Sequence, residues 1–253
     1  MTSVVSRLRA AGCVFAEDEA RLLVEAAATP VDLDAMVSRR VAGLPLEHVL
    51  GWAEFAGLRI VVEPGVFVPR RRTELLARQA TALATRGAVV VDLCCGSGAV
   101  GAAVFAAEPG IELFAVDIDP TCCRCARKNI TGAVYEGDLY APLPDSLRGR
   151  VDVLVANAPY VPSEAVDLMP PEARLHEPLV ALDGGADGLD VLRRVIAGAP
   201  SWLAPGGCLM FETSVRQAQA AADTVASVGL VPFVASDDDL GATVVLGRLH
   251  SGG

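Results

Sequence analysis

Two stretches bring together residue types that can do chemistry. The first runs Val89-Val90-Val91-Asp92-Leu93-Cys94-Cys95-Gly96-Ser97-Gly98-Ala99-Val100-Gly101. Its Gly96, Gly98 and Gly101 stand in the G-x-G-x-x-G spacing that lets a nucleoside cofactor approach the backbone where a strand turns into a helix. Asp117 ends the next apolar run, where a carboxylate can accept from ribose hydroxyls. Asp92 discriminates between cofactors. A dinucleotide pyrophosphate on the helix N-terminus would face this carboxylate, and like charges in a partly dry crevice repel strongly. S-adenosylmethionine has no phosphate and carries an ammonium and a sulfonium, both suited to an acidic neighbourhood. The stretch reads as an S-adenosylmethionine cleft, with Asp117 on the ribose. Two plainer readings stand beside it: glycines that only form a turn, and an Asp92 that caps the helix N-terminus or loop.

The second stretch is Asn157-Ala158-Pro159-Tyr160-Val161-Pro162, at the end of an apolar run. Ligands of open α/β sheets sit at such strand ends. A planar amide nitrogen is neutral and its lone pair is delocalised, so simple deprotonation does not activate it. Two acceptors gripping its two N–H groups would align it with an electrophilic methyl. They would also stabilise positive character growing on nitrogen. The Asn157 side-chain oxygen and the Ala158 carbonyl can fill that role, with Tyr160 as a flat wall. The plainer reading is a strand that ends and turns.

Such residues need a frame. The chain has 253 residues, 52% hydrophobic and 21% charged, enough apolar surface for a large core and too little Cys for a disulfide scaffold. Residues 1–50 are Ala- and Leu-rich, with helices expected at 4–11, 17–28 and 32–42; Glu17 or Asp18 would begin the second and Asp32 would cap the third. Residues 51–72 read as a hairpin linker, with strands from Phe55 to Val62 and from Val66 to Val68 about a Pro64-Gly65 turn. From 73 to 253, strands alternate with helices: strands at 88–93, 111–116, 134–135, 151–156, 208–211, 230–235 and 243–249, and helices ending near Ala107 and Asn129 and at 189–199 and 215–228. Uninterrupted Val/Leu/Ile runs imply strands buried on both faces, hence an α/β, doubly wound, Rossmann-like and mainly parallel sheet. The net charge of −10 argues against a general nucleic-acid binder. No signal-peptide pattern or apolar span of membrane length is visible, so a cytoplasmic location with reduced thiols is expected.

These motifs together resemble the protein-glutamine amide methyltransferases that modify peptide chain release factors and a ribosomal protein. The family's acceptor motif is Asn-Pro-Pro-Tyr, standing here as Asn157-Ala158-Pro159-Tyr160. Its linker signature Pro-Arg-Pro-Glu-Thr-Glu stands as Pro69-Arg70-Arg71-Arg72-Thr73-Glu74. The stretch from His176 through Asp183-Gly184-Gly185 to Asp187-Gly188-Leu189 is distinctive of the family, and Asn129, Glu212 and Gln217 fall in register with an Asn, a Glu and a Gln there. The resemblance implies a class I S-adenosylmethionine-dependent methyltransferase with a helical N-terminal domain that helps bind a protein substrate. It places cofactor contacts on Asp92, Cys94, Cys95, Gly96, Ser97, Gly98, Asp117, Asp138, Leu139 and Asn157, the Asp138–Leu139 pair lining the adenine. It places the substrate glutamine against Asn157, Ala158, Pro159 and Tyr160, and implies a release factor, or a ribosomal protein, as substrate. Ala158, Arg71, Arg72 and the missing Arg after Gly241 depart from its pattern and suggest a divergent paralogue.

Two other readings use the same residues. The four-residue motif type also serves exocyclic amino groups of adenine in nucleic acids, and a small amide or amine is a further acceptor. Ala158 also permits a cofactor-binding paralogue without turnover. Arg70–Arg72 would either grip an acidic partner or a phosphate, or form a solvated hairpin end. Cys122, Cys123 and Cys125 lack the spacing of a zinc site and read as small core residues.

Overall fold

The computed structural model describes residues 2–250, and at 171 and 173 the backbone only. Four helices come first: α1 Thr2–Ala10, α2 Ala16–Ala26, α3 Pro30–Val41 and α4 Leu46–Leu50. Leu8, Leu23 and Val37 are buried between them. The start of α3 differs from expectation. Thr29, not Asp32, is its N-cap, accepting from the Asp32 N–H, and Pro30 occupies the first turn, where its missing N–H costs nothing. Asp32 reaches back to the Ala28 N–H, so cap and first turn satisfy each other's orphan donors.

The hairpin is shorter than expected and turns elsewhere. β1 (Trp52–Phe55) pairs antiparallel with β2 (Leu58–Val61) around Ala56 and Gly57, both at positive φ. That is the twist a two-residue hairpin loop demands. Pro64-Gly65 makes a separate turn, closed by Val66 N–H on the Glu63 carbonyl, and 66–68 form no strand.

The remaining elements are α5 Glu74–Leu83, β3 Val89–Leu93, α6 Ala99–Ala107, β4 Glu112–Asp117, α7 Pro120–Asn129, β5 Ala133–Glu136, β6 Val151–Ala156, α8 Pro171–His176, α9 Asp190–Gly198, β7 Leu203–Thr213, α10 Ala218–Ser227, β8 Val231–Asp237 and β9 Ala242–Arg248. Seven strands form one sheet in the order β5-β4-β3-β6-β7-β9-β8, parallel except for the reversed β9. Helices α5, α6 and α7 pack on one face and α9 and α10 on the other. Every residue of β3 is buried; Val89, Val91 and Leu93 face the α9–α10 layer and Val90 the opposite one. The chain leaves β3 toward β4 and β5, then crosses to β6 on the other side. This reversal opens a crevice at the strand ends.

Candidate active site

Strand register assembles the site. Leu93 pairs with Val116 on one neighbour and with Ala156 on the other. The residues that follow these three are Cys94, Asp117 and Asn157, at the ends of adjacent strands about 4.8 Å apart. A cavity of about 480 Å³ opens here and is lined by both sequence stretches. Asp92, Cys94 to Ser97, Asp117, Asp138 and Leu139 line one part, and Asn157 to Val161 with Arg72 and Glu212 line the other. Gly98, the remaining glycine of the first stretch, lies outside this lining and is the N-cap of α6, with φ +79°.

On the first side the backbone dominates. Cys94 takes a positive φ of 55°, so the loop bends sharply as it leaves β3, and the Cys95 N–H bonds the Val116 carbonyl. Side-chain alternation turns Asp92 toward α6, where its Oδ2 accepts the Gly101 N–H at 2.9 Å. A Cβ on Gly101 would come within 3.1 Å of that oxygen, so the third glycine admits the carboxylate. The plainer reading of Asp92 thus holds as well: it ties helix to strand while bordering the cavity. Burial lifts its pKa to about 7; the Gly101 N–H opposes the rise and the Asp117 charge adds to it. Asp117 accepts the Gly96 N–H on Oδ2 (2.8 Å) and the Asp119 N–H on Oδ1 (2.9 Å), which aims the carboxylate and leaves a lone pair on each oxygen. Burial raises it too, against the pull of the Asp119 and Gly96 amides. Asp138 pairs with Arg194 at 2.5 Å. Burial, then the Asp117 and Asp92 charges, push the Cys94 thiol far up, so it stays protonated and is no nucleophile.

Asn129 links this loop to the hairpin. Its Nδ2 donates to the Ser97 and Val61 carbonyls and its Oδ1 accepts the Val61 N–H. Cys122 and Cys125 pack in an apolar cluster with Ala53, Val62, Val66 and Val68, as small hydrophobes do.

On the second side charged groups dominate. Asn157 follows β6 half-buried, and Ala158 is buried. The Tyr160 hydroxyl donates to Glu212 Oε1 at 2.6 Å; Arg72 Nε donates to the same oxygen at 2.9 Å and to the hydroxyl at 3.0 Å. Burial and the Glu212 charge hold the Tyr160 hydroxyl protonated. Gln217 fixes the backbone, donating from Nε2 to the Tyr160 and Asp187 carbonyls. Gly188, at φ +79°, lies so close that a Cβ there would sit 2.3 Å from the Tyr160 carbonyl oxygen. The stretch after the acceptor motif thus wraps back on it, with Gly184 N–H on the Val161 carbonyl and Val161 N–H on that of Leu182.

The basic triplet is neither a free patch nor a solvated end. Arg70 pairs with buried Glu177 at 2.5 Å and Arg72 with buried Glu212; Arg71 and Arg72 are exposed, and Arg71 is in no ion pair among the described residues. Sequence reading missed these pairs and the Gln217 clamp. The chemical types of Glu177, Glu212 and Gln217 were visible, but their partners lie far away along the chain. From α8, Glu172 reaches Arg40, which also pairs with Glu19 and so ties the N-terminal helices to the cavity rim.

The arrangement fits S-adenosylmethionine. Asp92 and Asp117 are in no salt bridge among the described residues, and the cavity has the size of a nucleoside-class ligand site. One buried and one half-buried carboxylate, neither paired with a cation, favour a cationic guest and disfavour a phosphate.

Residues 57–176 match the family described as "Methyltransferase small domain". The chain is 36% identical to the release factor glutamine methyltransferase of Geobacter sulfurreducens, over 84% of this chain and 75% of that one. It is 40% identical to the same enzyme of Gloeobacter violaceus, over 73% and 67%. Among solved structures, a ribosomal protein L11 methylase from Lactobacillus delbrueckii subsp. bulgaricus superposes with a TM-score of 0.53 at 19% identity, over 76% and 86%. A Thermus thermophilus 16S rRNA N2 G1207 methyltransferase in complex with AdoMet and guanosine gives 0.56 at 18%, over 79% and 50%. Both share the fold. No helix among the described residues is long and apolar enough to cross a membrane.

Proposed function

Because the chain belongs to the release factor glutamine methyltransferases, we propose that its cleft methylates the side-chain amide nitrogen of a glutamine in a peptide chain release factor, with S-adenosylmethionine as donor. The observation that carries this reading is a common opening: buried Asp92, half-buried Asp117, neither in a salt bridge among the described residues, and a strand exit bearing Asn157 all line one cavity. Cys94 to Ser97 and Asp117 would hold the cofactor's amino-acid and ribose parts, with Gly98 turning the loop into α6 behind them, and Asp138 and Leu139 would flank the adenine. When bound, the cofactor supplies an electrophilic methyl group on sulfonium.

The protein's own contribution is placement and polarisation. The Asn157 side-chain oxygen and the Ala158 carbonyl accept the two amide N–H groups, keep the nitrogen in line and favour the charge it gains in the transition state. Tyr160, locked by Glu212, Arg72 and Gln217, walls the pocket. Once nitrogen has gained its methyl group it sheds one N–H proton to solvent. No base of the protein is needed, since an alkylated amide is a strong acid. Residues 1–50 would help seat the protein substrate from the rim that Arg40 and Glu172 join. Nucleic acid fits less well, because Glu177 and Glu212 offset the charges of Arg70 and Arg72, the basic run at this cavity.

The test is incubation of purified release factor with the enzyme and S-adenosylmethionine, followed by peptide mass spectrometry. One added methyl group on a single glutamine is expected. No methylated glutamine in the release factor overturns this assignment.

A further inference from the structure

Glu212 stands at the acceptor end of the cavity and spends only one of its oxygens. Oε1 takes the Tyr160 hydroxyl and Arg72 Nε, whereas Oε2 is buried with no hydrogen-bond partner among the described residues. A buried carboxylate oxygen without a donor is costly and calls for one from a ligand. Its neighbour is in the complementary state. Arg72 commits Nε to Glu212 and Tyr160, while its two Nη groups make no hydrogen bond to the described residues, and its half-exposed side chain lines the same cavity. An unfilled acceptor and unfilled donors thus stand side by side, joined by a 2.9 Å ion pair. The amide clamp at Asn157 and Ala158 does not use them.

A ligand that satisfies both must offer a carbonyl oxygen and an N–H close together, which a peptide main chain does. We propose that Arg72 and Glu212 hold the substrate main chain beside the target glutamine, Arg72 Nη donating to a carbonyl and Glu212 Oε2 accepting an N–H. The pair would then set specificity for glutamine within a peptide, while Asn157 and Ala158 hold the reacting amide. This inference rests on the glutamine-methylating function proposed above.

The test compares wild type, Glu212→Gln and Arg72→Gln on a capped peptide with one glutamine flanked by glycines. Glu212→Gln keeps an oxygen for the Tyr160 hydroxyl but puts an NH₂ group where the acceptor stood. Both variants are expected to raise KM about tenfold or more, with kcat changed less than about threefold, as loss of a charge-assisted hydrogen bond to bound substrate predicts. Calorimetric binding of S-adenosylhomocysteine should be unchanged, which reports an intact fold. A series of peptides N-methylated at successive main-chain nitrogens supplies the second readout. Wild type should lose about tenfold in kcat/KM at one position, and Glu212→Gln little there.

A fall in kcat at constant KM overturns the inference, because the pair would then only prop Tyr160. So does tolerance of every N-methyl position. So does a preference for free glutamine over the peptide, which would put an ammonium and a carboxylate on the pair. Wild type that methylates no glutamine in peptide or release factor removes the proposed function together with this inference. Variants with unaltered KM beside an active wild type remove the inference alone.

Discussion

The two sides of the cavity are built by opposite strategies. The cofactor side comes from one run of chain, Asp92 to Leu139, whose polar contacts are mostly backbone amides on two carboxylates. The acceptor side gathers residues from the linker, the exit of β6, the stretch before α9 and the end of β7, and binds them by side-chain ion pairs and hydrogen bonds. A cofactor shared by many enzymes can be met by a local, backbone-made cradle. An acceptor amide must be positioned to a fraction of an ångström, which takes side chains locked from several directions.

Four substitutions sharpen or break this contrast. Asn157→Ala should have the largest effect, lowering kcat by roughly 10²–10³-fold, the scale for losing one preorganised transition-state partner. Single-turnover methylation would read it, with S-adenosylhomocysteine affinity falling far less than the rate, since Asn157 touches the cofactor side only from its edge. Equal losses in both would mean that the two sides are not separable. Asp117→Ala should do the reverse, weakening S-adenosylhomocysteine binding by about 10–100-fold, as charged hydrogen bonds to ribose and to the Gly96 amide disappear. Calorimetry reads this directly, and an unchanged Kd would take the ribose role from Asp117.

Asp92 gives a pH signature. Its carboxyl titrates at 3.8 ordinarily and at about 7 in the folded protein. Between those values the folded chain keeps a proton that the unfolded chain has lost. The group's stabilising contribution is therefore full below about pH 4, falls as pH rises toward 7, and is level above that. Asp92→Asn cannot titrate, so the stability of wild type relative to this variant should decline from pH 4 to 7 in urea unfolding. A flat difference would show that the carboxylate is better solvated than its burial indicates. Ala158→Pro should have the smallest effect, activity equal to wild type or higher by about two- to fivefold, because the carbonyl is kept and the chain stiffened. A collapse would reveal a pocket remodelled around alanine.

How much was legible in advance follows the same division. That Asp92, the loop after β3 and Asp117 border one cavity is foreshadowed in the sequence, because strand, turn and helix are neighbours there and their residue types encode the turn. Asn157–Tyr160, which lines the same cavity, stands out by its place at a strand end and its resemblance to a known motif. The hairpin turn was misplaced because Pro64-Gly65 is the stronger local signal. The chain instead turns at Ala56-Gly57, where strand twist favours two positive φ values. Arg70–Arg72 reads in sequence as a grip for an acidic partner or phosphate, or as a solvated hairpin end, because the carboxylates that Arg70 and Arg72 bond lie 107 and 140 positions away.

The amino-acid order alone determined the alternating strands and helices from β3 onward, where the loop after β3 must bend, and that two carboxylates flank it. These follow from steric preferences and apolar periodicity, which act over a few residues. Only the folded sheet decided that the exits bearing Cys94, Asp117 and Asn157 stand beside one another, and that Arg72 reaches Glu212. Register between parallel strands is set by packing and hydrogen bonds from distant chain segments, and no local pattern carries that information.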